Sequence, residues 1–334
     1  MILQPDFFTR NGHAMKARRF PVAHTWNAWV RWIAPLALIF VASLRMDAVA
    51  QQQFVSPDDA MNALVAAAKA GDTNTLHAIF GPAAHELVSA DIVQASNESE
   101  TFLHCLAEKA VRIRASDTNA VLEIGTDRWP FPIPLVKQAD GKWLFDTVTG
   151  KEEILNRRIG RNELGAIRVC HAYVGAQREY ASQPRTSDGV LEYAQNLRST
   201  PGKHDGLYWP AGADEELSPL GPLIAKARGE GYRQQAKIMT EAQSPYRGYY
   251  FKILTCQGKK APGGEYNYVI NGHMIAGFAF VAWPAEWGNS GMMTFIVNQL
   301  GKVYQKNLGP KTSVIAPEMT IYDPDSSWTP VNAN

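Results

Sequence analysis

The feature that most constrains this chain is a helical stripe at its centre. Ile154, Leu155 and Ile159 begin it. Leu164, Ile167, Cys170, Tyr173, Val174, Gln177 and Tyr180 carry one face onward after Gly160, which reads as a break. Spacings of three and four place these residues on one side of a helix. Pro184 and Asp188-Gly189 end the pattern.

On both sides of this stripe the pattern passes from helix to strand. Before it, Ser56-Pro57-Asp58-Asp59 is a helix start: Ser caps, Pro suits the first turn, and acids favour the positive end of the helix dipole. Met61, Leu64, Val65 and Ala68 form its apolar stripe. A second helix follows Asp72 and stops at Gly81-Pro82, and a third runs through Phe102, Leu103, Leu106 and Ala110. The period then falls to two. Strands are expected at 111–114, 120–125, 131–137 and 142–146, with Asp140-Gly141 as a tight turn. After the stripe, helices are expected at 189–197 and 219–229. Strands are expected at 249–255, 266–271, 275–282, 292–298 and 302–306. The expected fold is α+β: two small domains, each of helices packed on an antiparallel sheet, joined by a helical segment. The boundaries are 54–150, 151–187 and 188–334.

The first fifty residues read as a signal peptide. A basic stretch with Arg10, Lys16, Arg18, Arg19 and Arg31 precedes the apolar run Trp32–Leu44, and Ala48-Val49-Ala50 is a small-x-small cleavage pattern. The run is shorter than the ~20 residues a membrane-spanning helix needs. Cleavage after Ala50 and a periplasmic or secreted location are expected, with no stable membrane insertion afterwards. Six basic and two acidic residues precede Gln51, so the remaining chain carries 27 basic against 30 acidic residues, net −3. That balance argues against a nucleic-acid partner.

Motifs for chemistry are sparse. His77, His85, His104, His171, His204 and His273 show no metal-ligand spacing, and no CxxC occurs, so no metal or cofactor is expected. Asp188-Gly189 with Thr186 and Glu192 is a degraded calcium-type loop. Of Cys105, Cys170 and Cys256, the pair Cys170–Cys256 is the plausible disulfide in an oxidising compartment, and three separate buried thiols are the plainer alternative. The distinctive element is Trp-Pro, at Trp129-Pro130, Trp209-Pro210 and Trp283-Pro284. Such tryptophans pack a core while Pro ends a strand, or they stack on sugar rings beside carboxylates. The second reading gives a candidate binding surface of Asp205, Tyr208, Trp209, Trp283, Glu286 and Trp287 for an envelope protein or glycan. Two alternatives accompany it. One is a cell-wall hydrolase using Asp205 or Glu286 as general acid. The other is a pseudopilin-like assembly subunit.

Several stretches resemble one family of exported bacterial proteins, domain of unknown function 2950. They are Trp129-Pro-Phe-Pro-Ile-Pro134, Ile159-Gly-Arg-Asn-Glu-Leu164, Thr200-Pro-Gly-Lys-His-Asp-Gly-Leu-Tyr-Trp-Pro210, Ser218-Pro-Leu-Gly-Pro222, Gly248-Tyr-Tyr-Phe251, Ala282-Trp-Pro-Ala-Glu286 and Thr294-Phe-Ile-Val-Asn298. The resemblance implies an exported protein of unassigned activity and supplies no catalytic residues. Residues 54–150 also resemble the cone-shaped nuclear-transport-factor-like fold, through Ala70-Gly71-Asp72 and Gly141-Lys142-Trp143. The later half looks pilin-like, with Ala176-Gln177 and Tyr180 in its helix.

Overall fold

The computed structural model describes residues 51–87, 91–108, 111–212, 215–232 and 245–332. The signal-peptide expectation for residues 1–50 lies outside them. Asp47–Asn334 forms one compact unit. Its architecture is α+β.

Local chemistry starts each early helix as the sequence suggests. Helix α1 (Pro57–Ala70) is capped by the Ser56 side chain, which accepts from Asp59 N, and Gly71 closes it at φ 62°. The left-handed conformation there favours glycine. Asp72 caps α2 (Thr73–Phe80), and a 3-10 turn, Pro82–Leu87, follows. Helix α3 is Ile92–Glu108. A meander then forms from β1 (Val111–Ala115), β2 (Asn119–Ile124), β3 (Trp129–Pro130), β4 (Leu135–Lys137) and β5 (Trp143–Phe145). The sheet order is β1-β2-β4-β5, with β3 also on β2. The expected strand 131–137 shortens to 135–137, because Pro132 and Pro134 cannot donate to a ladder.

Helix α4 (Thr147–Tyr180) is 34 residues long, about 51 Å at 1.5 Å per residue. Asp146 caps it by accepting from Thr149 N at 3.1 Å. Gly160 does not break it. A glycine costs a helix only ~1 kcal/mol, and packing on both ends outweighs that.

The expected helix at 189–197 is absent. Gln177 receives the Ala194 N–H and donates to the Ala194 carbonyl, both at 2.8 Å, and Tyr193 N bonds to Met274 O, so the segment is held extended. Helix α5 is Gly221–Gly229. Then come β6 (Tyr249–Leu254), β7 (Cys256–Gln257), β8 (Tyr266–Asn267), β9 (Val269–Ile270), β10 (His273–Met274), β11 (Ala279–Pro284), β12 (Thr294–Asn298), β13 (Tyr304–Lys306), β14 (Ile321–Tyr322) and β15 (Thr329–Pro330). The main sheet runs β15-β13-β12-β11-β6, antiparallel throughout.

The buried residues form two clusters. One joins α1, α2 and α3 to the first sheet around Phe54, Phe80, Phe131 and Phe145. The other packs the far half of α4 on β11 and β12. There Tyr173 stacks on Phe280 with ring centroids 4.0 Å apart. Helix α4 touches both: Gly150 lies against Ile133, and Thr147 Oγ1 donates to Phe80 O at 2.7 Å. No described helix is long and apolar enough to cross a membrane.

Candidate functional site: a polar seam between two cores

Midway along α4, its buried stripe turns polar. Arg158 and Asn162 lie four residues apart and are 3% and 2% exposed. Arg158 donates from Nη2 to Leu87 O at 2.8 Å and from Nη1 to Asn289 Oδ1 at 3.4 Å, and its Nε lies 3.8 Å from Glu98 Oε2. Burial lowers the Arg158 pKa from its ordinary value, against the pull of Glu98. Asn162 donates to Ser290 O at 3.0 Å and accepts from Gln94 Nε2 at 3.1 Å. At the next residue, Glu163 Oε1 accepts the N–H groups of Met292 and Met293. These bonds tie α3, α4 and the β11–β12 connection together.

Two tight features shape this seam. Arg247 and Gly248 both have positive φ, 47° and 73°, in the turn before β6. A Cβ on Gly248 would meet Asn162 Nδ2 and Ser290 Cβ at 2.8 Å, so the close approach requires glycine. At the start of α3, Asp91 Oδ1 accepts from Val93 N and Gln94 N, both at 3.0 Å, while Oδ2 accepts from Tyr232 OH at 2.9 Å. Burial, then the Asp91 charge, pushes the Tyr232 pKa well above the usual phenol value.

Beside these bonds is a cavity of about 140 Å³. Asp91, Gln94, Tyr250, Glu286, Asn289 and Ser290 are among the residues that line it. Asn289 Nδ2 donates to Glu286 Oε2 at 2.6 Å. The Ser290 hydroxyl receives Glu286 N and donates to Glu286 O, so it is engaged within its own turn.

The profile of a family described as "Protein of unknown function (DUF2950)" matches residues 51–331. The chain belongs to the DUF2950 family. Every residue of the seam falls within the matched DUF2950 span. No curated protein and no solved structure matches the chain.

The six surface candidates of this DUF2950 protein part company in the structure. Tyr208, Trp209 and Trp283 are buried in the second core. Trp209 stacks on His204 at 4.2 Å, lies under Arg185 at 5.2 Å, and donates to Glu216 O at 3.0 Å. Trp283 packs beside Tyr250 with ring centroids 5.8 Å apart. Asp205 accepts from Thr200 N and Oγ1 at 2.7 and 2.8 Å, closing its own loop. Trp287 donates to Asn307 Oδ1 at 2.8 Å. Glu286 alone of the six lines the seam cavity.

The three cysteines are unpaired, and the Cys170–Cys256 bridge is not formed. Cys170 faces the core, where burial pushes its thiol pKa up to about 12, and Cys256 Sγ donates to Thr320 O. In the degraded calcium-type loop, Asp188 and Glu192 face the two ring nitrogens of His273 at 3.3 and 3.2 Å. Those carboxylates are engaged with a side chain of the β9–β10 hairpin.

Asp91, Gln94, Arg158 and Asn162 did not stand out in the sequence as site residues. A signal existed for two of them. Arg158, Asn162, Ala166, Cys170 and Tyr173 continue one face at helical spacing, so a charge and an amide fall on the stripe that must be buried. Asp91 and Gln94 come from a distant segment and had no such pattern.

Proposed function

We propose that this chain is an exported, periplasmic, non-catalytic binding module of the cell envelope, and that a glycan enters the seam cavity. The observation that carries this is the meeting of Glu286 and Tyr250 at one space of about 140 Å³. A half-exposed tyrosine offers a ring face to the apolar side of a sugar, and a carboxylate accepts from hydroxyls. Export rests on the basic stretch, the apolar run Trp32–Leu44 and Ala48-Val49-Ala50.

Binding is favoured over hydrolysis by how the lining groups are used. Asp91 holds a helix start and a tyrosine with both oxygens, and Ser290 is bonded within its turn. Asp205, the other carboxylate considered for hydrolysis, lines neither this cavity nor the one beside β6. Assembly through the α4 face has little support, because Val169, Tyr173, Val174, Ala176 and Tyr180 are buried.

Two measurements test the reading. N-terminal sequencing of the protein recovered from the periplasm should begin at Gln51; protein retained in the cytosol with residues 1–50 attached overturns export. Calorimetry with soluble peptidoglycan fragments should show binding that Tyr250→Ala weakens about tenfold through lost ring stacking. Release of new reducing ends would establish a hydrolase instead, and binding indifferent to Tyr250→Ala and Glu286→Ala would remove the cavity from the account.

A further inference from the structure

Gln51, ahead of α1, is built into the first core through its side chain. Its Nε2 donates to Ile79 O in α2 at 3.1 Å and to Phe145 O in β5 at 2.6 Å, with Thr147 Oγ1 at 3.5 Å. A primary amide nitrogen carries two hydrogens, and the two carbonyls take both. The backbone beside it is held as well. Gln52 N donates to Ala78 O at 2.8 Å, and Phe54 and Trp143 exchange N–H···O bonds in both directions at 2.8 Å. Gly81 makes the room for this seat: a Cβ there would lie 2.8 Å from Gln51 Cβ.

Cleavage after Ala50 makes this same glutamine the bearer of the free α-amine. A terminal glutamine carries its own reaction. The α-amine attacks the side-chain Cδ, a C–N bond closes a five-membered lactam, the Cδ–Nε2 bond breaks, and ammonia leaves with the proton that the amine gives up. No further reactant is needed. To react, the side chain must curl back over its own backbone. Nε2 then abandons Ile79 O and Phe145 O, which lie 28 and 94 residues away along the chain. The lactam keeps one N–H, on the former α-nitrogen, and has no primary amide to return to those carbonyls. Seat and lactam are therefore exclusive states of one residue.

We propose that the first core holds the mature N-terminus as open glutamine and shuts off its conversion to pyroglutamate. This rests on cleavage after Ala50, the export reading given above. Each amide bond contributes modestly in water, and the need to open both together slows ring closure about thirtyfold relative to the unfolded chain. An order of events follows. A chain that folds promptly after cleavage keeps its amide, whereas one that lingers unfolded closes the ring and folds without this anchor.

Mass measurement of the N-terminal peptide tests this on the mature protein recovered from the periplasm, because ring closure removes the mass of one ammonia. Freshly recovered protein should begin with an unblocked Gln51. Samples are then held at neutral pH and one temperature, either folded or in guanidinium chloride. The folded sample should close the ring about thirtyfold or more slowly than the unfolded one. Gly81→Ala, which places a methyl against Gln51, should bring the folded rate most of the way to the unfolded rate while the Val281 methyl signal in the second core stays in place. The comparison of folded with unfolded parent protein does not depend on that variant. Equal rates in the two parent samples overturn the proposal, as does fresh protein already in the lactam form. A folded Gly81→Ala protein that closes no faster than its parent overturns it too. A chain that begins at another residue overturns the cleavage reading and takes this proposal with it, and the identity of the N-terminal peptide tells the two failures apart.

Discussion

The two cores are filled with different aromatics. The first holds Phe54, Phe80, Phe131 and Phe145, with ring centroids 5.5–6.3 Å apart. It has no tyrosine; all 12 lie between Tyr173 and Tyr322. Phenylalanine contributes area and shape alone, so the first core depends on close packing. In the second core the hydroxyls also make directed bonds: Tyr173 to Ala279 O and Tyr268 to Gln257 in strands, and Tyr180 to His204 O and Tyr249 to Met293 O in loops. One of them, Tyr180 to His204 O, ties the loop that follows α4 back to the helix. The difference teaches that α4 joins an area-stabilised half to one stabilised also by directed bonds.

The largest expected effect tests the first half of that contrast. Phe145 is fully buried and meets three other rings. Phe145→Ala should cost about 3–5 kcal/mol in urea denaturation through lost transfer energy and the cavity left behind. A cost below ~1 kcal/mol would mean that the ring cluster does not hold this half together.

The seam decides whether the halves act as one. Arg158→Ala leaves the Leu87 carbonyl without its donor and empties a buried site, while Glu98 keeps Arg161 at 2.7 Å and Gln94 at 3.0 Å, so the cost is about 1–3 kcal/mol for the orphaned acceptor. The expected sign of uncoupling is that one urea transition becomes two, followed by methyl signals of Leu122 in the first core and Val281 in the second. A single shifted transition would show that the cores are coupled through other contacts.

Alkali should act on the second core only. Burial raises the pKa of Tyr180 to about 12, and that of Tyr173, Tyr249 and Tyr268 further. A tyrosine whose folded pKa exceeds its unfolded value near 10 binds its proton more tightly when folded. Its stabilising effect is complete below about pH 10 and is lost as pH rises through the folded values. In the Arg158→Ala variant, methyl signals of Val281 and Val297 should therefore collapse between about pH 10 and 12, while those of Leu122 and Leu135 persist. Simultaneous collapse would erase the distinction. Tyr249→Phe isolates one anchor and should cost about 1 kcal/mol at neutral pH.

The same contrast explains what could be read from the residues. The helices and meander of the first half follow local chemistry: Ser56, Gly71, Asp72 and Asp146 all cap as their types suggest. The α+β class followed from the change of period. Segment 189–197 has the residues of a helix but is extended, because its backbone is held by Gln177, which lies on another element. Trp209 and Trp283 looked available for stacking because Trp-Pro carries no sign of which face is covered. The seam escaped notice because Asp91, Asn162 and Ser290 meet only after the chain has folded twice.

The smallest effect lies on α4 itself, where two glycines should behave oppositely. A Cβ at Gly160 meets nothing within 4 Å, and the residue sits mid-helix with an ordinary helical φ. Gly160→Ala removes backbone freedom from the unfolded chain and should raise stability by about 0.5–1 kcal/mol. At Gly150 a Cβ would lie 2.6 Å from Ile133 Cγ1, and Ile133 is itself buried. Gly150→Ala must therefore displace the first core, and the same helical gain is overwhelmed by overpacking. If thermal denaturation shows both substitutions stabilising, the contact between α4 and the first core is looser than its distances imply. If Gly160→Ala destabilises, the helix bends there in solution, and the single rod joining the two cores is two shorter ones.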